Sequence, residues 1–180
     1  GEDTRGEEID DEDTRADSAI IVSVNIDTQK IPLTSILRDS YCYYEVVDGD
    51  ESTGTFGKIN AAMSDGGIDC YIRTVEHMFK INIDNYAIVN FSSFEKIIDA
   101  LGGVDIDITA AEIKEINNHP KRYGNVYIEG EPGVLHLTGE QALAYCRIRK
   151  IDSDVVRGDR QKTVLLQLFE KAPIASTLKS

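Results

Sequence analysis

The chain has 180 residues, 41% of them hydrophobic, and a formal net charge of -13 at pH 7. That length suits one compact domain, and that apolar content supports a core, which excludes a disordered chain over most of the length. So acidic a balance also speaks against a general nucleic-acid binder, which works by neutralising phosphates with a basic surface.

The first thirteen residues, GEDTRGEEIDDED, hold eight acids against one arginine, and residues 6–14 are expected to form a mobile, solvated acidic loop. No run of roughly 18 apolar residues suggests a membrane-spanning helix, and no signal-peptide pattern is read. Residues 19–25, AIIVSVN, are short, β-branched and apolar, and predict a buried strand. The polar turn DTQK leads to a second strand, IPLTSIL, in a hairpin that ends at Arg38-Asp39-Ser40. YCYYEVV predicts a third strand, followed by the loop DGDESTGTFG. Helical character begins at Lys58–Ala62, and a second helix is predicted over Asp69–Phe79.

YAIVNF, residues 86–91, reads as another buried strand. Ser92-Ser93-Phe94-Glu95 then has the form of a capping box, with Phe94, Ile97, Ile98 and Leu101 on one helical face. Gly102-Gly103 supplies the stop, and VDIDI alternates as a half-exposed strand should. A second capping box, Thr138 to Gln141, opens a helix through Tyr145. The last helix starts near Asp154 and turns Val164, Leu165, Leu168 and Phe169 inward. Interleaved strands and helices predict an α/β sandwich around a mixed sheet, in one domain.

Against the acidic background, 143-LAYCRIRKIDSDVVRGDRQK-162 holds six basic residues and three Asp. In an extended segment Arg147 and Arg149 point the same way, and on a helix Arg157, Arg160 and Gln161 share a face. Guanidinium forks bind phosphate oxygens in paired hydrogen bonds, so the cluster suits a diphosphate. The plainer alternative is a network of ion pairs with Asp152, Asp154 and Asp159. Asp3, Asp17 and Asp39 each stand beside an arginine (Arg5, Arg15 and Arg38), and carboxylate pairs can hold Mg²⁺. Each could equally serve a local structural purpose.

Other chemistry is weakly signalled. His77, His119 and His136 share no ligand spacing, and DGGID and LGGVD lack the nucleotide-binding patterns. No GxSxG, HExxH or Ser/His/Asp order is present. Three cysteines are too few for a disulfide scaffold, although a Cys42–Cys70 bridge remains open.

Taken in order, GEDTR, RADSAIIVSVNIDTQKIPLTSILRDSY, KINAAMSDGG, NYAIVNFSSFEKIIDALGGVDIDI and LTGEQALAYCRIRKIDSDVVRGDRQK resemble the LytR-CpsA-Psr family of cell-wall ligases. The resemblance implies a three-layer α-β-α sandwich around a central mixed β-sheet. It implies a Mg²⁺-dependent phosphotransferase (with Mn²⁺ as a substitute) that moves an anionic glycopolymer from undecaprenyl diphosphate to a peptidoglycan hydroxyl. A pyrophosphatase activity on polyprenyl diphosphates is implied too.

By that resemblance Asp3 and Asp17 hold the metal, while Arg15, Arg38, Lys58, Arg147, Arg149, Arg157, Arg160 and Gln161 surround the diphosphate. Arg38, Asp39, Arg147 and Arg149 are the expected catalytic groups. Apolar helices between Lys58 and Leu101, with the terminal helix, would wall a tunnel for the lipid. The expected location is extracytoplasmic, with a membrane anchor and a first strand preceding the sequence given. Asp65 stands where the family commonly has an aromatic residue. The competing function is a module that binds a polyprenyl phosphate or wall polymer without turnover.

Overall fold

A computed structural model describes residues 18–25, 27–28, 30–149, 151 and 154–171, with the backbone alone at 154 and 155. The acidic segment 6–14 and the site candidates Asp3, Arg15 and Asp17 lie outside the described residues. In chain order the elements are β1 (Ala19–Val22), β2 (Leu33–Ile36), β3 (Tyr41–Asp48), β4 (Glu51–Lys58), α1 (Ile59–Phe79) and α2 (Phe91–Ala100). They continue with β5 (Val104–Ile108), α3 (Ala110–Asn118), a 3₁₀ turn (Pro120–Arg122), β6 (Gly133–Leu137), α4 (Gly139–Cys146) and α5 (Asp154–Lys171). The architecture is mixed α/β. Among the described residues, no helix is long and apolar enough to cross a membrane.

The strands pair two by two, as β1–β2, β3–β4 and β5–β6, where the sequence predicts one mixed sheet. Part of the difference lies at 86–91. That run is apolar and β-branched but pairs with no strand among the described residues, and Tyr86 and Ile88 are exposed. A β-branched segment becomes a strand only where another backbone completes its hydrogen bonds.

By its internal contacts the chain divides into two units, one holding Ile36–Asn90 and the other Ile20–Ser35 with Phe91–Ser180. In the first, β3 and β4 form an antiparallel hairpin from Tyr41↔Lys58 to Asp48↔Glu51. Gly49, at φ 61°, takes the left-handed position of its two-residue turn. The predicted loop 48–57 is therefore mostly strand. Its Gly, Ser and Thr content hides the strand, because β4 is held by pairing with β3 and buries almost nothing. Tyr43 and Phe56, facing across the hairpin, meet edge to face with centroids 5.2 Å apart.

α1 packs on this hairpin through Ile59, Ala62, Cys70, Tyr71 and Val75. The two predicted helices are its two halves, joined through a kink at Gly66 and Gly67, where Gly67 has φ 67°. Asp65, just before the kink, accepts a hydrogen bond from the Tyr44 hydroxyl. That bond, with burial, pushes the Tyr44 phenol up to about 12. Cys42 and Cys70 are free thiols, and Cys70 Sγ donates to Glu45 O at 3.2 Å.

The second unit holds the larger core. Val104, Ile106 and Ile108 are fully buried, while the Asp residues between them face outward, as the alternation predicts. They pack with Ile98, Ile116, Leu137, Ala142, Ile148, Val164 and Leu168. α2 begins at Phe91, so Ser92 sits inside its first turn rather than at the cap. Its end follows the prediction. Gly103 N donates to Ile98 O at 2.9 Å and Gly102 N to Asp99 O at 3.0 Å, with both glycines at positive φ. This is the paired hydrogen-bond pattern of a left-handed C-terminal cap.

Candidate functional site

Arg38, Asp39 and Lys58 come together in the first unit, at the open end of the β3–β4 hairpin, from the segment before β3 and the last residue of β4. Lys58 Nζ lies 2.7 Å from Asp39 Oδ1, and Arg38 Nε lies 3.7 Å from Asp39 Oδ2. The backbone fixes the group: Ile59 N donates to Ser40 O at 2.8 Å and Asn60 N to Arg38 O at 3.3 Å. Two amides of the first turn of α1, which has no side-chain cap, are thus satisfied by the turn that carries Arg38 and Asp39. The Lys58 hydrogen bond, with the charges of Lys58 and Arg38, holds the Asp39 carboxyl below its ordinary value.

In the second unit Arg147 is the C-terminal cap of α4. A complete capping box sets that helix: Thr138 Oγ1 accepts from Gln141 N, and Gln141 Oε1 accepts from Thr138 N at 3.0 Å. Gly139 lets α4 approach α2, since a Cβ there would lie 2.3 Å from Glu95 O. At the other end Arg147 N donates to Leu143 O and Ala144 O, both at 3.1 Å. Its guanidinium carbon stands 5.0 Å from the centroid of Phe91, a cation–π contact. The segment is helical rather than extended at Arg147, with φ -92° and ψ -4°. Ile148 is nevertheless fully buried, with Arg147 half-buried and Arg149 exposed on either side of it.

Along α5, Arg157 and Gln161 are half-buried. The sequence places Arg160 on their face, but the structure turns it into the core, 3% exposed. Arg160 Nε donates to Glu112 Oε1 at 2.7 Å and Nη1 to Ile148 O at 3.4 Å. Its guanidinium also lies 5.8 Å from the Tyr145 ring centroid. The physical reason is Glu112, a buried acid that needs a charged partner. Asp159 pairs instead with Lys162, at 2.7 Å. Burial pushes the nearby Cys146 thiol up to about 12, although Arg157 and Arg160 pull it down.

Glu112 and Phe91 escape the sequence reading. A signal for Glu112 was available: Thr109-x-x-Glu112 is a capping box that directly follows β5. Among the described residues, no three His, Cys, Asp or Glu side chains group as a metal site. Arginines at this density, carried on packed helix ends, suit a multiply charged oxyanion.

The chain belongs to the LytR_cpsA_psr family, whose description matches residues 1–179. It is 37% identical over 168 residues to the polyisoprenyl-teichoic acid–peptidoglycan teichoic acid transferase TagV of Bacillus subtilis (strain 168), a stretch covering 91% of this chain and 40% of TagV. Two solved structures are similar over 87% of this chain. TagT bound to LI-WTA has TM-score 0.73 and 34% identity, with 58% of that chain covered. The LytR-CPS2A-psr family protein YwtF (TagT) with bound octaprenyl pyrophosphate lipid has TM-score 0.71 and 32% identity, with 59% covered. The chain thus spans between two fifths and three fifths of these relatives.

Proposed function

We propose that this chain carries the phosphotransferase site of a polyisoprenyl-teichoic acid–peptidoglycan transferase, or of a close variant acting on another anionic glycopolymer. The reading rests on one observation above the rest: arginines held at the end of α4 and on α5, in a chain related throughout to proteins bearing that name. Arg15, Arg38, Lys58, Arg147, Arg149, Arg157 and Gln161 bind the diphosphate oxygens. The fold is a single three-layer α-β-α domain around a mixed central sheet. The protein works outside the cytoplasmic membrane and is anchored to it.

In the reaction a hydroxyl of peptidoglycan attacks the phosphorus that carries the glycopolymer. A new P–O bond forms, the bond to polyprenyl phosphate breaks, and the hydroxyl proton passes to solvent. With water as acceptor the same site hydrolyses a polyprenyl diphosphate. Arg38, Arg147 and Arg149 stabilise negative charge at the phosphoryl group in the transition state. Asp39, held ionised by Lys58, keeps Arg38 and Lys58 oriented. Asp3 and Asp17 offer hard oxygen donors of the kind Mg²⁺ takes alongside phosphate and water, so the donor chemistry fits that ion or Mn²⁺. When bound, the metal supplies charge neutralisation on the diphosphate.

The test is phosphate release from a soluble polyprenyl diphosphate, with Mg²⁺ and with chelator, by the parent and Arg147→Ala. Metal-dependent release that the variant loses supports the transferase reading. Tight binding without release supports a module that holds the lipid or polymer without turnover. Neither binding nor release refutes both.

A further inference from the structure

We infer that the buried Glu112–Arg160 pair is a positioning device, which sets the 147–149 arginine segment and the Arg157–Gln161 turn of α5 at one fixed spacing. Resting on the proposed diphosphate site, this takes Arg160 out of ligand contact and adds Glu112 to the site's machinery.

Glu112 is fixed first. Its Oε2 accepts from Thr109 N and Thr109 Oγ1, both at 2.8 Å, which closes the capping box of α3. Its Oε1 is left to face Arg160 Nε at 2.7 Å, with both side chains under a tenth exposed. A carboxylate locked on one edge by a helix cap can present its other edge in only one direction.

Arg160 is fixed in turn, and within the second unit it touches the segments that carry Arg147, Arg149, Arg157 and Gln161. Its Nη1 reaches the carbonyl of Ile148, the residue between Arg147 and Arg149. The guanidinium lies against Tyr145 on α4, and its own backbone lies one residue from Gln161 and three from Arg157 on α5. A single planar cation therefore joins α3, α4, the segment after α4, and α5. Arg147, Arg149 and Arg157 carry like charges, so keeping them at one spacing calls for a rigid support. A buried ion pair with both partners oriented can set it, and such a pair is better suited to specifying one geometry than to adding stability.

The experiment compares ¹⁵N-labelled parent, Glu112→Gln, Arg160→Met and the double variant. Each single change leaves a buried group uncompensated and lowers the melting temperature. The double variant removes both charges and recovers most of it. In that refolded double variant, the backbone amide and Nε–Hε signals of Arg147, Arg149 and Arg157 are expected to shift or broaden, while those of Arg38 stay in place. Affinity for geranyl diphosphate with Mg²⁺ should fall about tenfold or more, as a displaced binding group predicts.

A double variant as stable as the parent, with unmoved arginine signals, overturns the inference whatever its affinity. So do moved signals with affinity unchanged from a parent that binds. A parent that neither binds nor turns over the diphosphate refutes the proposed function instead, and the signals alone then decide the positioning.

Discussion

The Lys58 ammonium lies 2.7 Å from the Asp39 carboxylate, although 19 positions separate the two in sequence and a whole hairpin intervenes. The pair exists because Tyr41 and Lys58 are the first rung of the β3–β4 ladder, which returns the chain to where it left Asp39. Sequence proximity placed Asp39 beside Arg38; only the hairpin register brings in Lys58.

This pair has a pH signature. The Asp39 carboxyl is more acidic in the folded chain than in the unfolded one, chiefly through the Lys58 hydrogen bond. The contribution is therefore complete above the unfolded value of about 3.9 and is lost as pH falls through the lower folded value. The melting temperature of the parent should exceed that of Asp39→Asn by a small amount at pH 7, and the gap should close below about pH 4. A gap that persists at pH 2 would assign the effect to something other than charge.

Arg147→Ala removes a cation–π contact worth about 0.5–1 kcal/mol, so the fold should survive. Under the proposed function, kcat/KM for polyprenyl diphosphate hydrolysis should fall roughly a hundredfold, the usual loss for one transition-state donor. Thermal melting alongside the kinetics separates the two effects.

Gly139→Ala tests the approach of α4 to α2. The added methyl would lie 2.3 Å from Glu95 O and 2.7 Å from Glu95 Cα, which are backbone atoms that cannot swing aside. A loss of about 1–3 kcal/mol or more is expected in urea denaturation. A neutral result would show that the two helices can separate without cost.

Thr138→Ala removes one half of the capping box at the start of α4 and should cost about 1 kcal/mol, while Thr138→Ser should be nearly silent. Because α4 ends at Arg147, the alanine variant should also raise KM for the diphosphate. Denaturation and steady-state kinetics on both variants check this.

Local patterns were the legible part of the sequence. The Gly102-Gly103 stop, the alternation of VDIDI and the Thr138 box each rest on neighbours within a few residues, and each is present. β4 and residues 86–91 were misread in opposite directions, since whether a segment is a strand depends on a partner backbone that composition does not report. The arginine segment was visible as charge. The fate of Arg160 was not, because its partner Glu112 is 48 residues away, beyond the reach of any i, i+3 or i, i+4 rule.

The Lys58–Asp39 and Glu112–Arg160 pairs also differ in what dissolved salt can do to them. At physiological ionic strength charges are screened over about 8 Å, but only where ions and water can reach. Lys58 and Asp39 are both about half exposed or more, whereas Glu112 and Arg160 are out of reach of both. Rising salt should therefore loosen the polar corner at Asp39 while leaving the Glu112–Arg160 clamp at full strength.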